Sequence, residues 1–307
     1  MISIIVVTWN SEKDLTSCLE SIKKQTEKDL ELIIVDNNSK DMTKEIVKSF
    51  NPEIFIENPD NFGFAMANNQ GINASKGEYV LTLNPDVILS SNFLERVKEE
   101  MERDEKIGMI SGKLIRPSGV IDSRGISLSH IRRFYDIGQG EVVEGQESRG
   151  KGQEVKLIGP CAAAGFYRRK MLEDVKIPLN PPFAKGEIGG FEYFDEDFFA
   201  YVEDVDLAWR ANIFGWKAVY CSEAAAMHFR GGSNISFKWR QYLSFRNRYL
   251  MMIKNENMTH LLKYFLCFLL YDIPRACYLI VSNRYLLVDY KNFSVLIARA
   301  WRKRKLQ

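Results

Sequence analysis

An α/β fold built on a mostly parallel central sheet with flanking helices is what this sequence predicts, and three observations predict it. Short β-branched apolar runs alternate with amphipathic helical segments from Ile2 to Ile110. The runs are apolar nearly throughout rather than at every second residue, which marks strands covered on both faces. Two of them deliver a carboxylate at their ends, Asp36 and Asp86, and right-handed crossovers keep such strands parallel, so both acids fall on one rim.

The first strand is Ile2–Val7, ended by Thr8-Trp9-Asn10. Ser11 with Asp14 resembles a capping pair, and Leu15, Cys18, Leu19 and Ile22 then recur at helical spacing. Leu30–Val35 is the second strand. Asp41 can cap a helix whose Ile46, Val47 and Phe50 face inward. Glu53–Ile56 is a short third strand, Phe64–Ala74 a helix, and Tyr79–Leu83 the fourth strand. Phe93, Leu94, Val97 and Met101 mark another amphipathic helix, and Ile107–Ile110 another strand. From Arg116 to Lys156 no period is sustained, which predicts a long, partly ordered excursion of the kind that faces substrates. Val155–Gly159 resumes a strand. The small residues of Pro160-Cys161-Ala162-Ala163-Ala164-Gly165 suit either a close backbone approach to a ligand or tight core packing. Asn180–Gly190, rich in Pro and Gly, reads as a surface insertion. A helix opens at Val202-Glu203-Asp204 and runs to about Ile213; Lys217–Tyr220 is a strand. From Phe237 the chain reads as helical to its end.

Composition sets bounds. The 307 residues suffice for one large domain or two ordinary ones. With 46% hydrophobic and 27% charged residues the composition is that of an ordinary soluble protein, and a net charge of +2 gives no case for nucleic-acid binding. The cysteines Cys18, Cys161, Cys221, Cys267 and Cys277 are scattered, odd in number and without a C-x-x-C pair. They argue against a disulfide framework and a zinc site, and for reduced thiols in a cytosolic protein. Met1 runs directly into a strand, so no signal peptide is expected. The most apolar stretch, Leu261–Val281, is interrupted by Lys263, Asp272, Pro274 and Arg275. Its uncharged run Tyr264–Tyr271 is far shorter than the roughly 20 residues a bilayer span needs, though a helix lying on a membrane stays open.

Polar clusters fall at strand ends or helix starts: Thr8–Asn10, Asp36-Asn37-Asn38, Asn84-Pro85-Asp86 and Glu203-Asp204. Ligands in open α/β sheets bind beyond the carboxyl ends of the strands, where Asp36 can bond a ribose or base edge. The glycine fingerprint of dinucleotide folds is absent after the first strand, so NAD is disfavoured, as is a Walker A loop. Asp86 either caps a turn or holds a divalent cation beside a diphosphate. The dipole of a helix favours acids in its first turn. Three of them, Glu203, Asp204 and Asp206, exceed what capping needs, and a carboxylate within reach of a hydroxyl can serve as a general base.

With Val6-Val7-Thr8-Trp9-Asn10, Val35-Asp36-Asn37-Asn38-Ser39, Asn61-x-Gly63-Phe64-Ala65-x-Ala67-x-Asn69-x-Gly71, Leu83-Asn84-Pro85-Asp86, Glu203-Asp204-Val205-Asp206-Leu207 and His228 before Gly231-Gly232-Ser233, the chain resembles a family 2 glycosyltransferase of GT-A fold. More narrowly it is similar to the bacterial rhamnosyltransferase branch that builds surface polysaccharides. The resemblance covers about residues 2–250 and implies a GT-A domain over 1–235, with a nucleotide-sugar half to about 112 and an acceptor half from 113. A C-terminal helical region follows over 236–307.

The resemblance implies that Thr8, Trp9, Asn10, Asp36 and Asn37 hold the donor nucleotide and that Asn61, Gly63 and Asn84 line its site. Asp86 would ligate Mg²⁺ or Mn²⁺ on the diphosphate. The family's Asp-x-Asp is Asn84-Pro85-Asp86 here, leaving one carboxylate, so His228 is read as a further ligand, with a structural role as its alternative. Asp204 would be the base, Glu203 and Asp206 would orient it or bind acceptor, and Arg230 would either stabilise the leaving diphosphate or form an ordinary ion pair.

The implied reaction is metal-dependent, inverting transfer of L-rhamnose from dTDP-L-rhamnose to a glycan or lipid-linked saccharide in cell-surface polysaccharide synthesis. UDP-galactofuranose, UDP-glucose and UDP-N-acetylglucosamine are alternative donors. A sugar nucleotidyltransferase and a non-catalytic sugar-nucleotide-binding subunit are the rivals from other classes. Leu261, Leu262, Phe265, Phe268 and Leu269 fall at helical spacing and a basic end follows at 301–305. That pattern suits docking on the cytoplasmic face of a membrane, a helical cap, or an oligomer surface.

Overall fold

A computed structural model of the chain describes residues 1–143, 156–178, 190–231 and 235–304. Among these residues a nine-stranded sheet organises the fold. Its first part alternates strand and helix: β1 (Ile2–Thr8), α1 (Leu15–Lys23), β2 (Leu30–Asp36), α2 (Thr43–Phe50), β3 (Ile54–Glu57), α3 (Gly63–Ala74), β4 (Tyr79–Leu83), β5 (Val87–Leu89), α4 (Phe93–Glu102) and β6 (Ile107–Ile115). Short strands β7 (Ile121–Ser123), β8 (Ile126–Leu128) and β9 (Phe134–Asp136) follow, then β10 (Ala164–Arg168), α5 (Arg169–Val175), β11 (Ile177–Pro178), β12 (Phe191–Glu192), a 3₁₀ turn at Glu196–Phe198, α6 (Glu203–Ile213) and β13 (Lys217–His228). Helices α7 (Phe237–Asn255), α8 (Met258–Lys263), α9 (Phe265–Ser282), α10 (Tyr285–Val288) and α11 (Tyr290–Arg304) close the chain.

The strand order is β3-β2-β1-β4-β10-β6-β13-β5, with β7 beside β6. Pairs β1–β2, β1–β4, β2–β3 and β6–β13 are parallel. β10 enters antiparallel between β4 and β6, and β5 pairs antiparallel with β13. The apolar runs behave as strands buried on both faces. Ile4 and Val6 pack with Leu19 and Leu81 on one side, while Ile5 packs with Ile33, Ala67 and Leu250 on the other.

Several expectations change in detail. The stretch 116–156 holds β7, β8 and β9, strands of only three residues, too short to show a period. Val155 and residues 180–189, part of the two segments expected as strand and insertion, lie outside the described residues, as do Gly232 and Ser233. Where the strand ending at Gly159 was expected, Gly159 makes only an isolated bridge to Ile126 of β8. The small-residue run opens β10, whose Ala-Gly-Phe-Tyr-Arg sequence lacks the β-branched residues that flag strands. β13 extends eight residues past Tyr220, across a register shift between Tyr220 and Ala225. Asp14 makes no side-chain cap, whereas Asp41 accepts from the Thr43 amide at 3.1 Å.

Helix α3 crosses β1 closely because Gly71 has no side chain: a methyl there would run into Ile5 Cγ2. Gly71→Ala is therefore expected to cost ~1–3 kcal/mol, read as a lower urea midpoint with an unchanged far-UV circular-dichroism spectrum.

Candidate active site

Parallel pairing sets Thr8 opposite Asp36 and Val6 opposite Leu83, so the loops after β1, β2 and β4 meet at one edge. A cavity of about 680 Å³ opens there. Trp9, Asn37, Asn61, Gly63, Asn84, Asp86, Glu203, Asp204, His228 and Arg230 line it. The fold thus gathers ten of the fourteen residues singled out from sequence around one volume. Thr8, Asn10, Asp36 and Asp206 are the other four.

Thr8, Asn10 and Asp36 hold the edge together from behind. Thr8 and Asp36 are fully buried, and Thr8 Oγ1 donates to Asp36 at 2.9 Å. The second carboxylate oxygen of Asp36 accepts from the Ser39 amide at 2.9 Å. Asn10 adopts φ 51°, and its side-chain oxygen accepts from the Lys40 amide at 2.8 Å. The loops after β1 and β2 are thus stitched to each other. Asn37 bridges onward, donating to Gly63 O at 3.1 Å, and Asn61 accepts from the Gly63 amide at 2.9 Å. A Cβ on Gly63, which has φ +85°, would sit 2.5 Å from Phe199 O, so this start of α3 needs glycine.

A chain of charges runs along one wall. The register of β13 against β5 sets His228 opposite Val87, beside Asp86. His228 Nε2 lies 3.5 Å from Asp86 Oδ1, and Nδ1 lies 2.7 Å from Asp122 Oδ2. The other oxygen of Asp122 meets Arg230 Nε at 2.6 Å and Arg116 Nε at 2.7 Å, and Arg230 also reaches Asp136 at 3.1 Å. Burial disfavours charge on His228, but hydrogen bonds to Asp122 and Asp86 outweigh it and raise its pKa to about 9. Burial likewise works against ionised Asp122, yet hydrogen bonds from His228, Arg116 and Arg230 hold it well below the usual carboxylate range.

This donor set fits a divalent cation in part. Asp86 and His228 Nε2 face each other across the cavity wall, and Asp122 engages the far ring nitrogen, as second partners of metal-bound histidines do. Among the described residues no group of three His, Cys, Asp or Glu could hold a metal unaided. A cation here would take its remaining ligands from a substrate's phosphates and water.

The opposite wall is the start of α6. Phe199, Tyr201 and Val202 have φ of 65°, 68° and 77°, and such a conformation in a β-branched residue is strained. Buried Asn247 of α7 holds the turn, its side-chain amide nitrogen sharing its two hydrogens among Phe198 O, Ala200 O and Tyr201 O at 2.9, 2.9 and 2.7 Å. From α3, the Phe64 amide donates to Phe199 O at 2.7 Å. The turn aims Asp204 at the cavity, where its Oδ2 accepts from the Ala162 amide at 3.1 Å. Burial raises the Asp204 pKa to about 6 against the lowering effect of the Ala162 and Val205 amides. Glu203 is 5% exposed, its Oε2 has no hydrogen-bond partner, and burial followed by the Asp204 charge pushes its pKa well above the usual range.

Asp206 faces the interior. It pairs with Lys254 at 2.8 Å and Arg210 at 3.0 Å and accepts from Asn255 at 2.8 Å. Lys254 also pairs with Asp195, which Lys303 of α11 engages in turn.

The family profile described as Glycosyl transferase family 2 matches residues 3–175. The chain belongs to this family. Among its relatives, the N-acetylglucosaminyl-diphospho-decaprenol L-rhamnosyltransferase of Mycobacterium tuberculosis is 26% identical over 259 residues, covering 76% of this chain and 77% of that protein. Glycosyltransferase GlyG of Streptococcus pneumoniae is 33% identical over 109 residues, 34% of this chain and 36% of GlyG. The putative glycosyltransferase EpsH of Bacillus subtilis is 22% identical over 75% of this chain and 60% of its own length. The chain thus spans less than two thirds of GlyG and EpsH. Staphylococcus aureus TarS superposes with a TM-score of 0.60 at 17% identity, covering 97% of this chain and 80% of that one. The mannosyltransferase PcManGT from Pyrobaculum calidifontis, solved with GDP-Man and Mn²⁺, gives 0.54 at 15% identity over 97% and 73%. The architecture is the GT-A fold of this glycosyltransferase family, followed by C-terminal helices.

Sequence reading missed Asp122 and Lys254, and it noted Arg246, Asn247 and Arg248 in the tail without giving them a role. Asp122 sits in an aperiodic stretch, and Lys254 lies within a long helix with no local signal. Lys254→Met leaves two buried carboxylates short of a partner and is expected to lower unfolding free energy by ~3–5 kcal/mol, measured by urea titration.

Proposed function

We propose that this glycosyl transferase family 2 protein transfers a sugar, with inversion, from a nucleoside-diphosphate sugar to an acceptor hydroxyl, using Asp204 as general base. The observation that carries the reading is Asp204 itself, a cavity-facing carboxylate whose pKa is lifted to about 6 on the wall across from the Asp86–His228 pair. A base titrating near the working pH combines the ionised state with a useful driving force for taking a proton. Asp204 takes the acceptor's proton as the hydroxyl oxygen attacks the anomeric carbon. The bond from that carbon to the diphosphate oxygen breaks on the opposite face, which inverts the configuration.

Trp9, Asn37, Asn61, Gly63 and Asn84 form the donor side, with Thr8, Asn10 and Asp36 shaping it from behind. Glu203 lies next to the base and can meet an acceptor hydroxyl, and Asp206 orients the base through α6. Asp86 and His228 would hold Mg²⁺ or Mn²⁺, a cation that stabilises negative charge on a diphosphate. Arg230, fixed by Asp122 and Asp136, adds positive charge on the same wall.

For the donor we infer dTDP-L-rhamnose, with a saccharide or lipid-linked saccharide as acceptor in the cytoplasm. The support is the mycobacterial rhamnosyltransferase, matched over three quarters of both chains. A UDP-sugar is the second reading, favoured by the likeness to TarS, which was solved with UDP and with UDP-GlcNAc.

Asp204→Asn tests the base. It is expected to lower kcat by about 10²–10⁴-fold with donor affinity kept; unchanged turnover would remove Asp204 from the mechanism. In the wild type, kcat/KM should rise with pH through about 6 and then level. Stability runs the other way. The folded-state pKa lies above the unfolded one, so the contribution of Asp204 is present below pH 3.8 and lost as pH rises through about 6. Relative to wild type, Asp204→Asn should therefore gain melting temperature between pH 4 and pH 8, as measured by scanning fluorimetry.

A further inference from the structure

Helix α9 has its polarity inverted. At about 100° per residue, Leu266, Leu270, Ile273 and Val281 share one face, and they are 71, 78, 56 and 81% exposed. The opposite face carries buried Phe268 and Leu279 together with the helix's two charged residues. Asp272 pairs at 2.6 Å with Arg248 of α7, itself almost fully buried, and Arg275 donates to Tyr271 OH at 2.7 Å and lines the cavity. Charge is thus directed into the protein and apolar surface outward, over a helix of 18 residues with 11% of its length buried.

Such a face is a docking surface, and charge selects the occupant. Residues 258–307 carry nine Lys and Arg against two Asp and Glu, a surplus of seven, in a chain whose net charge is +2. The helical tail is strongly basic and the rest of the protein acidic. Lys263 and Arg284, both exposed, flank α9 at its two ends, and Tyr278 and Tyr290 are 55% and 58% exposed. Two copies meeting through this face would bring like charges together, whereas an anionic lipid surface attracts them. A flat seating is favoured over a span because the Asp272–Arg248 pair keeps the inner face of the helix on the protein.

We propose that α9 lies flat on an anionic lipid surface, its Leu266–Val281 face sunk into the headgroup–acyl boundary and its ends held by Lys263 and Arg284. The mouth of the cavity near Arg275 is then turned toward the membrane.

Co-sedimentation of the full chain with vesicles tests this. Wild type should bind phosphatidylcholine vesicles containing phosphatidylglycerol at least tenfold more tightly than phosphatidylcholine alone, and lose the difference as salt rises. A Leu266→Glu/Leu270→Glu/Val281→Glu variant should lose binding at least tenfold with its melting temperature unchanged, since those side chains touch little protein. Lys263→Glu/Arg284→Glu should lose the preference for anionic lipid while retaining weak binding. No binding of wild type to anionic vesicles overturns the proposal, as does equal binding by the triple variant. A wild-type dimer in size exclusion that the triple variant dissociates, with no vesicle binding, assigns the face to a second copy instead.

Discussion

The amine of Lys254, fully buried between the carboxylates of Asp195 and Asp206, ties together the parts of the chain that carry the candidate site. Lys254 belongs to α7, Asp206 to α6, and Asp195 to the segment leading into the strained turn before it. A buried charge stripped of its partner costs several kcal/mol, so none of the three can shift alone. Lys303 extends the tie to α11 through Asp195 and Glu192. The helices after Phe237 are therefore part of the scaffold that aims Asp204, and Leu250 and Met251 of α7 share the core on that face of the sheet.

With that frame fixed, the two walls of the cavity acquire opposite electrostatics from similar side chains. On one wall, hydrogen bonds from His228, Arg116 and Arg230 hold Asp122 ionised despite its burial. On the other, Asp204 and Glu203 lie in a buried pocket with few donors, and burial lifts both. Environments that push carboxylates apart in this way are what the proposed displacement requires, one set anionic and cation-bound, the other able to exchange a proton. The Phe199–Val202 turn stores backbone strain at the point where this second wall begins, and the three-carbonyl clamp of Asn247 maintains it.

Strands β1 to β4 and the start of β6 were legible because they are mostly apolar, β-branched runs, and parallel pairing of β1, β2 and β4 then set their strand-end residues on one rim, whereas β5, only three residues long, was not expected. Asp86 and Asp204 could be named because they sit at the boundary of a strand or helix, and His228 because it lies in a segment that resembles the family. β10 was not legible, since its Ala and Gly leave no strand signature and its place between β4 and β6 depends on pairing partners distant in sequence. Asp122 and Lys254 were not legible either. Their importance comes from groups they meet 106 and 48 residues away, His228 and Asp206, and no local pattern encodes such a meeting. Asp36 shows the converse: its position at a strand end drew attention, while its carboxylate is taken up by Thr8 and Ser39 behind the rim.

The most direct test of the account is calorimetric titration of dTDP, UDP and GDP into wild type and Asp86→Ala, each with and without Mn²⁺. The account predicts that a nucleoside diphosphate binds wild type, that binding strengthens with the cation, and that Asp86→Ala loses the strengthening. Absence of binding by all three nucleotides, with or without Mn²⁺, would contradict it.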